Sequence, residues 1–263
     1  MGVFRSALRV RQGLHESAYL QPGAIVDSPH YGASKSTPRP KSYTGNAKAM
    51  EYLQVLCSDD EETPRLSSLR SSILHHYHTI GIIFGISLGE LFCYCGFRVT
   101  SEEMSRSRNR LQTWIQQEGT EARRVALHAG RLFGSIRQSN MLGYYEGRAF
   151  MIACQSLWIY GELAKLDPGP LEGMSETENG QLDTPTVRLD QCLNKHCKQA
   201  WLLNGTSIRP YLAGVGCILD VDGVARLIQE GSRVLCDTRT WGFCPVMGKA
   251  LRLWHMFRTQ GIC

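Results

Sequence analysis

Ala122, Val125, Ala126, Ala129, Leu132, Phe133 and Ile136 recur at offsets of three and four residues, which places them on one face of a helix. Arg123, Arg124, His128, Arg131 and Arg137 take the other side. Upstream, Thr100 or Ser101 is suited to cap a helix from Ser101 to Glu118. Its first turn carries Glu102 and Glu103, whose carboxylates complement the exposed amides and the helix dipole. Gly119 closes that helix and Thr120 starts the next, over Glu121 to Arg137. Two helices joined by one or two residues predict an antiparallel hairpin within Gly96–Arg137.

The same reading extends along the chain. Ile73 to Phe92 is a mostly apolar helix inside the segment Leu66–Phe97. Ile80 to Gly89 carries no charge, but only eleven residues separate His78 from Glu90, against the roughly twenty a membrane span needs. A buried core helix is therefore expected, with Gly81, Gly85 and Gly89 as a small-residue ridge that admits a close neighbour. Tyr145 to Leu166 is apolar almost all round, through Met151, Ile152, Leu157, Trp158, Ile159 and Leu163, and is expected as the central helix, stopped by Asp167 to Pro170. Glu172 to Thr186 is polar and turn-rich, a flexible insertion around 168–186. Further helices are expected near Cys192–Leu203, Asp222–Asp237 and Pro245–Arg258. Asp222 would cap the second of these, ahead of Ala225, Leu227, Ile228, Gly231, Val234 and Leu235. In the third, Pro245 suits the first turn, and Val246, Ala250, Leu253, Trp254 and Phe257 share one face that is read as core. In a fragment of a larger protein, Trp254 and Phe257 would instead belong to an exposed patch for dimerisation or partner binding. The fold class is all-α, an irregular multi-helix bundle.

Composition changes this picture mainly at the N-terminus. Arg5, Arg9 and Arg11 precede any acidic residue before Glu16, and Pro22 to Asn46 is rich in Gly, Pro, Ser and Lys, with Pro38-Arg39-Pro40-Lys41 barred from a helix. Residues 1–46 are accordingly expected as a disordered basic segment, and 47–263 as the helical domain. The Arg-rich start also has the composition of a mitochondrial presequence, and Met1-Gly2 with Ser6 fits a loose myristoylation pattern; a basic tail is preferred to both. Met50, Leu53, Val55 and Leu56 suit a short helix, and the acidic run Asp59 to Glu62 reads as a solvated loop more readily than as an activation motif. With 263 residues, 43% of them hydrophobic, the chain can fill one large core or two small ones. Ten irregularly spaced cysteines without a secretory signal imply reduced thiols and an intracellular setting. The net charge of +5 is compatible with nucleic acid without demanding it.

Candidate chemistry is sparse. His75, His76, His78, Cys93 and Cys95 have the right atoms for a metal but no paired spacing, so they read as helix-face histidines and small buried cysteines. Cys192 and His196 share a helix face, with Cys197 adjacent, yet lack a second ligand pair. Asp220-Val221-Asp222-Gly223 begins like a calcium loop that Val224, Arg226 and Leu227 do not continue. Phosphate-binding, dinucleotide-binding, nucleophile-elbow and zinc-protease motifs do not occur. No catalytic, cofactor-binding or metal residue is assigned, and the chain is not expected to be an enzyme. Arg123, Arg124 and Arg131 could touch phosphate, but a solvated helix face is the preferred reading.

A run of short matches gives a family-level likeness. These are Gly96-Phe97-Arg98-Val99-Thr100 between an apolar and a charged helix, the Ala-Arg-rich helix after it, Gly143-Tyr144-Tyr145-Glu146, and Leu157-Trp158-Ile159-Tyr160-Gly161. It continues at Val187-Arg188-Leu189-Asp190, Asn204-Gly205, Ala213-Gly214-Val215-Gly216, and Ile228-Gln229-Glu230-Gly231 through Arg239-Thr240-Trp241-Gly242. Over roughly residues 44 to 258, this resembles the regulatory middle region of fungal-specific transcription factors, in particular those that read DNA with a pair of Cys2His2 zinc fingers. The resemblance implies a nuclear regulator of transcription, often tied to a metabolic gene cluster, with partners in the transcription machinery or a second copy and none in the membrane. Zinc would belong only to the finger module. No Cys-x2–4-Cys followed by His-x3–5-His occurs here, so DNA would be reached indirectly. The chain is then expected to be either a fragment of such a factor or a finger-less relative. The alternative is an all-α intracellular protein with a small-molecule or catalytic pocket unrelated to transcription.

Overall fold

The computed structural model describes residues 64–139, 143–164, 185–191, 193, 195–237 and 242–259. The chain divides into Met1–Asp59 and Asp60–Cys263, and every described residue lies in the second unit. The expected disordered segment 1–46, the short helix near Met50 and the acidic run Asp59–Glu62 lie outside the described residues, as does most of the expected insertion.

The fold is all-α with one small sheet. Eight helices are described: α1 (Pro64–Gly85), α2 (Leu88–Tyr94), α3 (Ser101–Gln117), α4 (Gly119–Arg137), α5 (Tyr144–Leu163), α6 (Lys195–Asn204), α7 (Gly223–Cys236) and α8 (Cys244–Thr259). Strands β1 (Thr186–Arg188), β2 (Arg209–Leu212) and β3 (Gly216–Cys217) pair in the order β1-β2-β3, the first pair parallel and the second antiparallel. Runs of two to four residues are too short to show alternation, so these strands were not expected from the pattern. Thr186, read as insertion, is the first residue of β1 and pairs with Arg209.

Helix α5 is the axis of the molecule. Every residue from Ala149 to Gly161 is buried, and α1, α2, α3, α4, α7 and α8 all touch it. This explains why its sequence is apolar all round. Phe133 of α4 stacks on Phe150 at 5.1 Å, and Gly147 and Gly161 let Cys244 and the Ile218 carbonyl approach.

The expected single helix Ile73–Phe92 is two helices bent by 80° at Ile86-Ser87. Ser87 is extended (φ −70°, ψ 127°) and starts α2 as its N-cap. The bend follows from packing: Gly81 and Gly85 press against His128 and Val125 of α4, which sets the course of α1, while Gly89 faces only Ser87. The ridge therefore serves close helix contact inside the domain at two of its three positions. No single described helix is long and apolar enough to cross a membrane.

The Gly96–Arg137 region forms as two helices, with a different break and different packing from those expected. Thr100 and Glu103 make a reciprocal capping box, Glu103 N donating to Thr100 Oγ1 (3.3 Å) and Thr100 N to Glu103 Oε2 (2.8 Å). The break falls at Glu118 (φ −117°, ψ 44°), and Gly119 already belongs to α4. Instead of facing α3 as a hairpin, the Ala-rich face of α4 is shared by α1 and α5, while α3 packs mainly on α2. The apolar stripe of α4 is wider than one partner can cover: Leu127, Gly130 and Gly134 are buried along with the seven periodic positions.

Candidate functional site

Helix α4 carries the three arginines that the sequence marks for possible phosphate contact, Arg123, Arg124 and Arg131. Arg123 donates from Nε (2.9 Å) and Nη2 (2.8 Å) to the carbonyl of Leu202, near the C-terminal end of α6, where a helix leaves carbonyls without internal partners. Trp201 Nε1 returns a bond to the Arg123 carbonyl (3.3 Å). Arg137 pairs with Glu230 of α7 at 2.6 Å, and Glu230 also takes two bonds from Arg233 (2.7 and 2.9 Å). The Arg233 hydrogen bonds, ahead of the Arg137 one, hold the Glu230 carboxyl below its usual range against the opposing effect of burial. Arg124 pairs with Glu121 on the surface. The expected solvated face of Arg123, Arg124 and Arg131 is thus corrected: Arg123 ties α4 to α6 and Arg131 is half-buried, while Arg137, outside that trio, ties α4 to α7.

On the same helix, His128 meets His78 of α1 with Nδ1 to Nδ1 at 3.0 Å. One of the two must donate and the other accept, so the accepting ring is neutral at Nδ1 and the two rings hold different tautomeric roles. Burial, reinforced by Lys198, Arg124 and Arg131, pushes the His128 pKa down to about 3. Burial, then His128 and Arg131, also holds His78 well below the ordinary histidine value. The half-buried Arg131 therefore acts here as a field on two imidazoles.

The other histidines disperse. His75 Nε2 lies 2.9 Å from Ser135 Oγ, and His76 packs edge-on against Tyr145 at 4.0 Å. Cys95 is buried and Cys93 half-buried on α2, where burial pushes the Cys93 thiol up. Among the described residues, no three His, Cys, Asp or Glu side chains converge as a metal would require. His196 and Cys197 are exposed on α6, and Cys192 lies outside the described residues.

Asp222 occupies the N-cap position of α7, but its side chain makes no capping bond. The neighbouring Asp220 is the engaged carboxylate, paired with Arg209 and with Arg226 (3.2 Å), while Arg226 Nε reaches the Val215 carbonyl at 2.6 Å. This cluster staples the β2–β3 turn to α7 and leaves no cation loop.

Three constellations carry no signal in the linear pattern. Asp190 takes two bonds from Arg188 (2.9 and 3.0 Å) and one from Ala213 N (3.0 Å), joining β1 to the β2–β3 turn. Burial alone would raise its pKa, but those hydrogen bonds bring it below the usual value. Glu162 accepts from Trp158 Nε1 (2.9 Å) and from Tyr94 Oη, anchoring α2 to α5. A cavity of about 520 Å³ is lined by Gln229, Arg233, Cys236, Asp237 and Arg252 of α7 and α8. Its guanidinium groups are engaged within the protein, Arg233 by Glu230 and Arg252 by Ser232, and no imidazole is in its lining.

Helix α8 departs most from expectation. Cys244, Met247, Gly248 and Leu251 enter the core, with Trp254 half-buried, whereas Val246, Leu253 and Phe257 of the expected core face are 55%, 49% and 44% exposed. Its two faces are both apolar, so periodicity alone could not select between them.

No family model matches the chain, and no solved structure matches it. Among curated proteins, it is similar to one named "Transcription factor" from Gibberella fujikuroi, 25% identical over 198 residues, which are 75% of this chain and 25% of that protein. The chain thus spans about a quarter of the length of the curated relative it matches.

Proposed function

We propose that this chain is the regulatory part of a transcription factor, an all-α module that works in the nucleus through protein contacts. The observation that carries the reading is the similarity over 75% of the chain to a protein named as a transcription factor. The resemblance to regulators of the Cys2His2 kind extends it: reading of base edges belongs to fingers whose ligand spacing this chain does not contain, so DNA is reached through a separate module or a partner. The internal use of its arginines supports that division. Arg123, Arg137, Arg188 and Arg226 each hold a carbonyl or carboxylate inside the fold, and a guanidinium committed there is not offered to a phosphate. Exposed pairs such as Arg106–Glu102 and Arg124–Glu121 are weak and exchange readily, so they neither add to nor argue against this reading. Control of a metabolic gene cluster is the proposed biological setting.

Fusion of the chain to a heterologous DNA-binding domain tests the proposal. A promoter carrying the cognate sites is expected to change output, up or down, relative to the DNA-binding domain alone. An unchanged reporter with a nuclear, folded fusion refutes the transcriptional role. In a gel-shift assay at physiological salt the unfused chain is expected to leave DNA unshifted, and sequence-specific binding would overturn the partner-dependent part.

A further inference from the structure

The outer face of α8 carries a seam that no element described above covers. Phe243, Val246, Ala250, Leu253 and Phe257 alternate offsets of three and four residues, the spacing with which one helix packs lengthwise on another. Phe243, Val246, Leu253 and Phe257 are 47%, 55%, 49% and 44% exposed. The seam points away from Met247, Gly248 and Leu251, through which the same helix already enters the core. At 1.5 Å per residue it runs roughly 21 Å, a continuous strip of large apolar side chains of the kind that marks an interaction surface. Phe97 widens it: 46% exposed, it packs edge-on against Trp254 at 5.9 Å.

Charge around the seam selects the occupant. Cys244–Thr259 contains Lys249, Arg252 and Arg258 and no Asp or Glu; Lys249 is exposed along one flank, and Arg252 lies further round on the same side, its Nε bonded to Ser232 Oγ and the residue otherwise exposed. Beyond Phe97, the Arg98 guanidinium lies 5.5 Å over its ring. Glu102 pairs with Arg106, Glu103 is held in the Thr100 capping box, and Asp237 lines the cavity that Arg252 borders. A second copy of this face would set Lys249 and Arg252 against their own equivalents, and like charges across an interface select against that pairing. A helix whose apolar stripe is flanked by Asp and Glu meets both demands.

We propose that this face of α8 docks an amphipathic helix of a partner protein, with an apolar stripe that fills the Phe243–Phe257 seam and acidic flanks that face Lys249 and Arg252. The inference stands apart from the transcriptional reading, because it is tested with purified full-length chain and no promoter. The probe is a fluorophore-labelled synthetic helix with Leu at both seam positions of each heptad and Glu at the flanking positions, compared with a twin carrying Lys at those flanks. Anisotropy is expected to show the Glu peptide bound at least about tenfold more tightly than the Lys twin at low salt, with the gap closing as salt rises. Leu253→Glu, an exposed change whose fold is checked by circular dichroism, is expected to abolish binding of the Glu peptide. Lys249→Glu is expected to shift preference toward the Lys twin. Equal binding of the two peptides, or none, overturns the proposal. A dimer in sedimentation that Leu253→Glu dissolves would assign the face to a second copy instead. A rise in peptide affinity after Asp59, Asp60, Glu61 and Glu62 are changed to Ser would assign it to the chain's own acidic run.

Discussion

Replacing Gly134 or Gly130 of α4 by alanine is expected to destabilise the fold, although each change improves helix propensity. A Cβ on Gly134 would lie 2.7 Å from both Cβ and O of Asp190, and 3.1 Å from its Cα. A Cβ on Gly130 would meet the Leu189 Cβ, with that residue's carbonyl carbon and oxygen at 2.9 Å. Ordinary carbon contacts settle near 3.5–4.0 Å, so the segment must retreat by about 1 Å. Most of the obstructing atoms are backbone and none can rotate away. That retreat disturbs the burial of Leu189, which is fully inside, and the three hydrogen bonds gathered on Asp190. Overpacking of this kind costs about 1–3 kcal/mol, and a strained hydrogen bond about 1 kcal/mol more. Against it stands the gain of about 1 kcal/mol for alanine over glycine in a helix. The net expectation is a loss of about 1–3 kcal/mol for each variant. Gly89→Ala is the control, since its Cβ meets only Ser87 Oγ at 3.6 Å in the exposed first turn of α2. It is expected to raise stability by a few tenths of a kcal/mol up to about 1. Urea unfolding followed at 222 nm measures all three. A higher midpoint for Gly134→Ala, in step with Gly89→Ala, would refute the docking of Leu189 and Asp190 onto α4 as the reason for that glycine.

Three further outcomes are expected. The His78–His128 pair stays neutral in the fold while the unfolded chain protonates near pH 6.5, so the unfolded state binds more protons and stability falls as pH drops from about 6.5 toward 3. His128 contributes a slope of about 1.4 kcal/mol per pH unit in that window, and His78 adds to it over the part that lies above its own lowered value. Urea midpoints across pH should show a shallower decline for the His78→Gln, His128→Gln double variant, and an unchanged slope would exclude the pair as its source. Arg123→Met removes both donors from the Leu202 carbonyl and should cost about 1–3 kcal/mol in the same assay; a neutral result would mean that water replaces the guanidinium without loss. Arg98 holds φ at +54°, so Arg98→Val should cost about 1–2 kcal/mol while Arg98→Gly is tolerated, and equal melting temperatures for the two would show that the backbone relaxes out of that conformation.

Most helices were legible because their signals are local. The Thr100–Glu103 capping box sits three residues apart in sequence, and the seven apolar positions of α4 are all buried where the 3.6-residue period puts them. The all-round apolar run of α5 likewise announces its place at the centre. Less legible were features whose cause is distant in sequence. The bend at Ser87 depends on α1 glycines meeting side chains of α4 some forty to fifty positions away, and the roles of Arg123 and Arg137 depend on Leu202 and Glu230, 79 and 93 positions away. A linear pattern shows an arginine on a polar face without showing what is packed over it.

Helix α8 marks the boundary. The spacing of its apolar residues predicted that it is a helix and put Val246, Ala250, Leu253, Trp254 and Phe257 on one face, read as core. Which face turns inward was settled by the glycines it meets, Gly147 on α5 and Gly231 on α7, with Gly248 of its own against Leu235 and Cys236. Burial favours the face that can approach most closely, because dispersion and the removal of apolar surface both grow with contact. Met247, Gly248 and Leu251 win the interior on that ground, and Val246, Leu253 and Phe257 are left in water, with Lys249 exposed beside them.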